Sequence, residues 1–400
     1  MEDWEKVNID KAFLTDRHFV EFFNSDCKLC HGGVEPALTR AAAHVDMIAA
    51  PSYPDGQLCA NCHADQVNSQ HTALHFEIRG LSNPTRGVVA QRANPNMLKE
   101  LELGLNNHCS GCHVKACGDC HVSRPQYNGK GLVKGHVFYK TPKATSNCTG
   151  CHGARIEKEM LGKGGKDLDD NELFMKADVH WNPNAMTCDK CHQGHQNQDG
   201  IFHRYDVENG PRCEKCHPDV ATDTQNNMHA IHANPSNDKP LLQCHVCHSQ
   251  PYNNCRSCHV SIDEKDNPIF DCNTSWFQFK IGKNYLKSAK RPYDYVVVRH
   301  VPVAVDTFKY YGDNILSNFD VLPTWKYATP HNILKEIKFP KDDEAGPLPQ
   351  ARGCNSCHGH PELFLSSEDI EDSEAAANSK VIVTDVPQTL FVDGGVDGGI

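Results

Sequence analysis

Ten times in this 400-residue chain a Cys-x-x-Cys pair is followed at once by histidine. The first five sets are Cys27/Cys30/His31, Cys59/Cys62/His63, Cys109/Cys112/His113, Cys117/Cys120/His121 and Cys148/Cys151/His152. The second five are Cys188/Cys191/His192, Cys213/Cys216/His217, Cys244/Cys247/His248, Cys255/Cys258/His259 and Cys354/Cys357/His358. They use 20 of the 21 cysteines; Cys272 stands apart. Paired cysteines alone admit zinc sites, disulfides or thioredoxin-like redox pairs, none of which requires a histidine after the second cysteine. Histidine is about 6% of the residues, so ten successes in ten by chance has a probability of roughly 10⁻¹².

The spacing matches one chemistry. Two thioether bonds tether the vinyl groups of a haem to cysteines three positions apart, and the adjacent histidine then reaches the iron from the same side. Ten motifs predict ten covalent haem c groups. The chain is only 38% hydrophobic and is broken by 28 glycines and 23 prolines, a poor source of a large aliphatic core. The expected fold is therefore a mostly irregular, short-helical multihaem cytochrome c in which haems form the core.

The motifs fall into two related sets. Asp16-Arg17-His18-Phe19 precedes the first motif and Asp178-Val179-His180-Trp181 the sixth. His71 and His75 follow motif two, as His229 and His232 follow motif seven, and each pair leads into two closely spaced motifs that end in His-Val-Ser, at His121 and His259. Glycine follows motifs five and ten, as Gly153 and Gly359. Two pentahaem halves are expected, residues 1–165 and 166–370, joined near Gly162–Asp170. The second half carries 95 residues between Cys258 and Cys354, and residues 272–330 hold 12 of the chain's 31 aromatic side chains. A small β-rich insertion over 262–335 is expected, with strands at 276–281 and 293–298. An acidic, then strand-like tail over 371–400 is expected to pack on its own domain or on a neighbour.

Fifteen histidines lie outside the motifs and are available as second axial ligands. A haem with two histidines is closed to substrate and transfers electrons; an open one can do chemistry. The duplication selects His18, His44, His71, His75 and His136 in the first half, and His180, His203, His229, His232 and His331 in the second. His195 is an alternative to His203, and His300 to His331. His108, His245 and His360 have no repeat partner and are read as structural. Cys272 is read as buried and inert.

With these residues in view, the chain resembles the multihaem c-type cytochromes of respiratory and extracellular electron transfer. His229-x-x-His232 ahead of the motifs at Cys244 and Cys255 is similar to a segment of octahaem tetrathionate-reductase-type cytochromes. Related multihaem nitrite reductases mark their active-site haem with a motif ending in lysine, whereas all ten motifs here end in histidine. The resemblance thus implies an electron carrier before its alternative, a multihaem reductase with one open haem. It also implies export-dependent maturation and an extracellular or cell-surface location, with the periplasm as the alternative. No apolar run approaches the ~20 residues of a membrane span, and Met1–Asp16 lacks a signal peptide's apolar stretch, so the numbering is read as that of a processed chain. The net charge of −11 argues against nucleic acid and favours partners with a basic docking face, other cytochromes or redox proteins, on the way to an extracellular acceptor. The chain is similar to extracellular cytochrome filaments in its many bis-histidine haems, which adds self-assembly to the expected partners.

Overall fold

A computed structural model describes residues 15–48, 51–52, 56, 58–71, 73–77, 89–108, 116–122, 138–153, 156–163, 165–166, 172–173, 175–192, 195, 210–218, 220, 227–233, 240–250, 255–262, 264–265, 267–275, 279–301, 306–335 and 357–388. The chain divides into two compact units that interleave along the sequence. The first comprises 1–87, 102–153 and 187–210; the second comprises 88–101, 154–186 and 211–400. This boundary differs from the sequential division at 165/166 expected from the repeat, because the segment carrying Cys188, Cys191 and His192 belongs to the first unit.

The first unit is built from short helices at its motifs, Lys28–His31, Ala60–His71, Gly118–His121 and Thr149–His152. Among its described residues few aliphatic side chains hold it: Val67, Ala73, Leu105, Ala116 and Ala144 are buried. Polar ties replace them. Asn147, directly before Cys148, donates from Nδ2 to the carbonyls of Cys120 and Val122 at 2.8 and 3.1 Å. Gly56 has a φ of +69°, and a Cβ there would lie 3.0 Å from Cys117 Sγ, so only glycine lets this turn approach the fourth motif so closely.

The second unit has a conventional apolar core. Strands β1 (Gly165–Lys166) and β2 (Glu172–Leu173) form a short ladder, and β3 (Cys255–Ile262) pairs antiparallel with β4 (Pro268–Ser275). β5 (Lys280–Lys283), β6 (Tyr295–His300) and β7 (Trp325–Tyr327) make a three-stranded antiparallel sheet in that order. Strands were expected at 276–281 and 293–298; the sheet uses the second of these shifted by two residues, and 276–278 lie outside the described residues. Val296, Val298 and Trp325 are fully buried, as are Leu365 and Val381 from the C-terminal segment. That segment is not a strand, but it closes the sheet: Lys283 donates to Val381 O at 2.8 Å and Val383 to Leu365 O at 2.9 Å. Gly282 permits the approach, since a Cβ there would meet Val298 and Val381 at 2.9–3.0 Å.

A buried polar cluster pins the same sheet. Glu374 accepts from Thr324 Oγ1 at 2.7 Å and from His300 Nε2 at 3.1 Å, and the His300 ring packs on Trp325 at 5.4 Å. Asn378 donates to Thr324 Oγ1 at 2.9 Å and accepts from the Trp325 N–H at 3.0 Å. Burial pushes the Glu374 carboxyl up, but hydrogen bonds from His300 and Thr324 and the charges of His300 and Arg92 outweigh it and hold the carboxyl below its ordinary value. A depressed carboxyl stabilises the fold above its unfolded value of about 4.3, and that stability is lost as pH falls through the folded value. Glu374→Gln is expected to lower stability at neutral pH by about 1–3 kcal/mol and to flatten the loss of stability in acid. Denaturant unfolding at a series of pH values measures both; parallel curves for the two proteins would refute the role given to Glu374.

Candidate haem-binding site

The motif spacing has a direct structural reading. In five motifs the second cysteine's N–H and the histidine's N–H both donate to the first cysteine's carbonyl, at 3.1–3.2 and 2.8–2.9 Å: those starting at Cys27, Cys59, Cys117, Cys188 and Cys213. One tight turn thus puts residues i, i+3 and i+4 on one side. Thr149–His152, which carries Cys151, and Cys244–His248 are helical turns of the same kind. The ninth motif differs, because Cys255–Ile262, with Cys258 and His259, is extended and pairs with β4, Cys258 standing opposite Cys272 and His259 opposite Asp271.

The far nitrogen of three motif histidines is fixed by a backbone carbonyl. Nδ1 of His31, His121 and His248 faces the carbonyls of Ile48, Tyr139 and Leu334 at 2.9, 2.7 and 3.0 Å. A proton held on Nδ1 leaves Nε2 as the donor to a metal. Burial lowers the pKa of His75 and of His121, keeping them neutral as a ligand must be.

Histidines from elsewhere in the chain face the motif histidines in pairs. In the first unit the ring centroids of His18 and His63 are 6.2 Å apart, and those of His75 and His152 6.1 Å. In the second unit His180 and His217 stand 6.3 Å apart, His229 and His248 6.2 Å, and His232 and His358 6.3 Å. His121 and His195 pair at 5.7 Å, with their Nε2 atoms 3.5 Å apart. Two imidazoles sharing one metal, with bonds of about 2 Å each and ring centres roughly 1 Å behind the nitrogens, are separated by about 6 Å. The residues present therefore fit a bis-histidine haem.

The pairs also re-register the internal repeat. His121 receives the N–H of Tyr139 and is followed by a bridge between Val122 and Phe138; His248 receives the N–H of Leu334 and is followed by a bridge between Ser249 and Ile333. Asp16 and Asp178 each accept the N–H of the bridged residue, Phe138 at 3.3 Å and Ile333 at 2.9 Å. Motif four thus corresponds to motif eight, not to motif nine as the shared His-Val-Ser ending suggests. Motifs two, four and five match seven, eight and ten.

The remaining candidates stand as follows. His195, not its preferred alternative His203, faces His121, because its Nδ1 is held by Gln66 O at 3.1 Å and Ser69 Oγ at 3.3 Å. His203 lies outside the described residues, as do Cys109, Cys112, His113, His136 and Cys354. His44 donates from Nδ1 to Arg40 O at 2.7 Å, and the His71 ring lies 5.0 Å from Phe76. The His331 N–H donates to the fully buried Glu159 at 2.7 Å, and His300 is taken up by Glu374. Cys151 is half-buried within its helical turn. Cys191 and His192 are exposed, at the end of a turn in which their N–H groups donate to Cys188 O at 3.2 and 2.8 Å. The sixth motif thus has the geometry for attachment, and His180, which stands shortly before it in sequence, faces His217 of the seventh motif.

Sequence reasoning missed Gln243, buried directly before Cys244. Its N–H donates to Tyr295 O at 2.9 Å, its Nε2 to Ala328 O at 3.0 Å, and its Oε1 accepts from Val297 at 2.9 Å. Val246, inside the eighth motif, enters the apolar cluster with Ile281, Val297 and Phe364, against which Cys247 and Cys357 also pack. The insertion therefore anchors motifs eight and ten.

The first cysteines of different motifs meet. Cys59 is hydrogen-bonded to Cys117, Cys148 to Cys188 and Cys213 to Cys244. Cys30 is within electrostatic reach of Cys59, Cys120 of Cys148 and Cys247 of Cys357. Among the described residues no group of three or more His, Cys, Asp or Glu side chains is gathered as a metal cage.

Over 159 residues the chain is 24% identical to the high-molecular-weight cytochrome c of Nitratidesulfovibrio vulgaris (strain Hildenborough), a match covering 33% of this chain and 29% of that protein. The aligned part is thus less than a third of the relative's length. No family model matches the chain, and no solved structure matches it. The similarity joins the motifs in supporting a multihaem cytochrome c with haem c as its cofactor. Among the described residues no helix is long and apolar enough to cross a membrane.

Proposed function

We propose that this chain is an electron-transfer protein carrying ten covalent haem c groups, each closed by a second histidine. The supporting observation is the set of six histidine pairs, each joining a motif histidine to one from elsewhere at the separation a shared iron requires. In this reading His18, His195, His75, His180, His229 and His232 are the distal ligands opposite His63, His121, His152, His217, His248 and His358. His44, His71, His136 and His331 remain the candidates for the motifs of His31, His113, His192 and His259. The cofactor supplies one-electron ferric/ferrous chemistry. The protein's part is to hold both axial ligands, exclude substrate from the metal and keep neighbouring motifs close. The cysteine contacts give an order of neighbours 1–2–4–5–6 in the first unit and 7–8–10 in the second, the arrangement a conduit needs. The acidic chain exchanges electrons with redox proteins that offer a basic face, and it acts outside the cytoplasm, towards an extracellular acceptor.

Haem stoichiometry and spin state test this reading. Intact mass and the haemochrome spectrum are expected to give ten haems per chain, and the reduced protein is expected to bind no carbon monoxide. Nine haems would point to the extended ninth motif. Carbon monoxide uptake at one haem would favour a reductase.

A further inference from the structure

The two copies of the Asp-x-His segment are alike in backbone and unlike at the ring. In both, the aspartate accepts the N–H of the histidine two residues on, His18 at 2.9 Å and His180 at 2.8 Å, through Oδ1. In both, Oδ2 accepts the N–H of the residue bridged to the one after the motif histidine, Phe138 for motif four and Ile333 for motif eight. The rings then diverge. His180 Nδ1 donates to Asp178 Oδ1 at 2.9 Å, whereas His18 Nδ1 lies 3.7 Å from Asp16, beyond a hydrogen bond, and its ring stacks on Phe138 at 4.8 Å. The two carboxylates are about equally enclosed, with 8% of the Asp178 side chain and 11% of the Asp16 side chain exposed, so the sites differ at the ring hydrogen bond.

We propose that Asp178 is a positioning residue that sets the potential of the haem on Cys213 and Cys216, holding it below that of its counterpart on Cys59 and Cys62. This rests on reading His180 and His217 as an axial pair. A carboxylate on the far ring nitrogen fixes the imidazole's orientation and makes it a stronger donor to iron, which favours the ferric state and lowers the potential. A buried negative charge acts in the same direction. At His18 the ring nitrogen stands beyond hydrogen-bond distance of Asp16 and the ring stacks face to face on Phe138, so duplication has produced two sites of one backbone geometry and unequal potential. Inequality of this kind gives a chain of otherwise similar centres a direction.

The test is a spectroelectrochemical titration of the complete holoprotein, with low-spin haem content followed by electron paramagnetic resonance. Asp178→Asn keeps the acceptor for Ile333 and removes the charge. About a tenth of the haem absorbance, one centre in ten, is expected to move to higher potential with all haems still low-spin. Asp178→Glu is expected to restore part of the shift, and Asp16→Asn to move its centre less. A titration curve unchanged in Asp178→Asn, while His180→Ala makes one haem high-spin, would overturn the proposal and leave the axial pair standing. If His180→Ala leaves every haem low-spin, the axial assignment itself fails. Should Asp178→Asn not accumulate, Asp178→Glu decides alone: an unchanged curve overturns the proposal and a partial upward shift supports it.

Discussion

Gln243→Leu is expected to destabilise the second unit by about 2–5 kcal/mol. Leucine has a similar volume, so the packing around the position is largely kept. What is lost is the amide. Gln243 is 2% exposed and bridges the Val297 N–H and the Ala328 carbonyl. Both backbone groups lie in the buried sheet region, and each one left without its partner costs about 1–3 kcal/mol. Denaturant unfolding followed by circular dichroism measures the loss, and amide exchange at Val297 locates it, because that N–H is held by the Gln243 side chain. A midpoint unchanged from wild type would mean that the eighth motif does not depend on the insertion for its support.

Gln243 also shows where the sequence stops being legible. The motifs announce their own local structure, since cysteines at i and i+3 with histidine at i+4 need one turn, and the turn is there in the motifs starting at Cys27, Cys59, Cys117, Cys188 and Cys213. The aromatic and β-branched run 293–298 likewise announces a strand, and β6 is Tyr295–His300. A glutamine before a cysteine announces nothing; its role comes from a strand 52 residues on. The repeat was readable as matched histidines, but its register was not. A shared His-Val-Ser ending is three residues of local identity, whereas the correspondence of motif four with motif eight is carried by backbone bridges to residues 138 and 333. Pattern reports what neighbours in sequence need. It reports distant pairing only where both partners repeat.

His195→Ala is expected to convert one haem from low spin to high spin and to open it to carbon monoxide, while His203→Ala leaves every haem closed. The two histidines are eight residues apart, and the repeat favours His203. The structure instead aims His195 at His121, 74 residues earlier, with Gln66 O and Ser69 Oγ holding the opposite ring nitrogen. Gln66 and Ser69 belong to the helix Ala60–His71, which begins inside the second motif, so the ligand proposed for motif four is oriented by the helix that follows its neighbour. Removing the imidazole leaves His121 as the axial histidine on that iron, and a five-coordinate ferrous haem takes up carbon monoxide whereas a bis-histidine one does not. About a tenth of the reduced absorbance should respond if ten haems are present. Ser69→Ala loosens only the orientation and is expected to leave the haem closed. A response to His203→Ala with none to His195→Ala would return the assignment to the repeat, and would mean that His121 finds its partner beyond the residue that faces it.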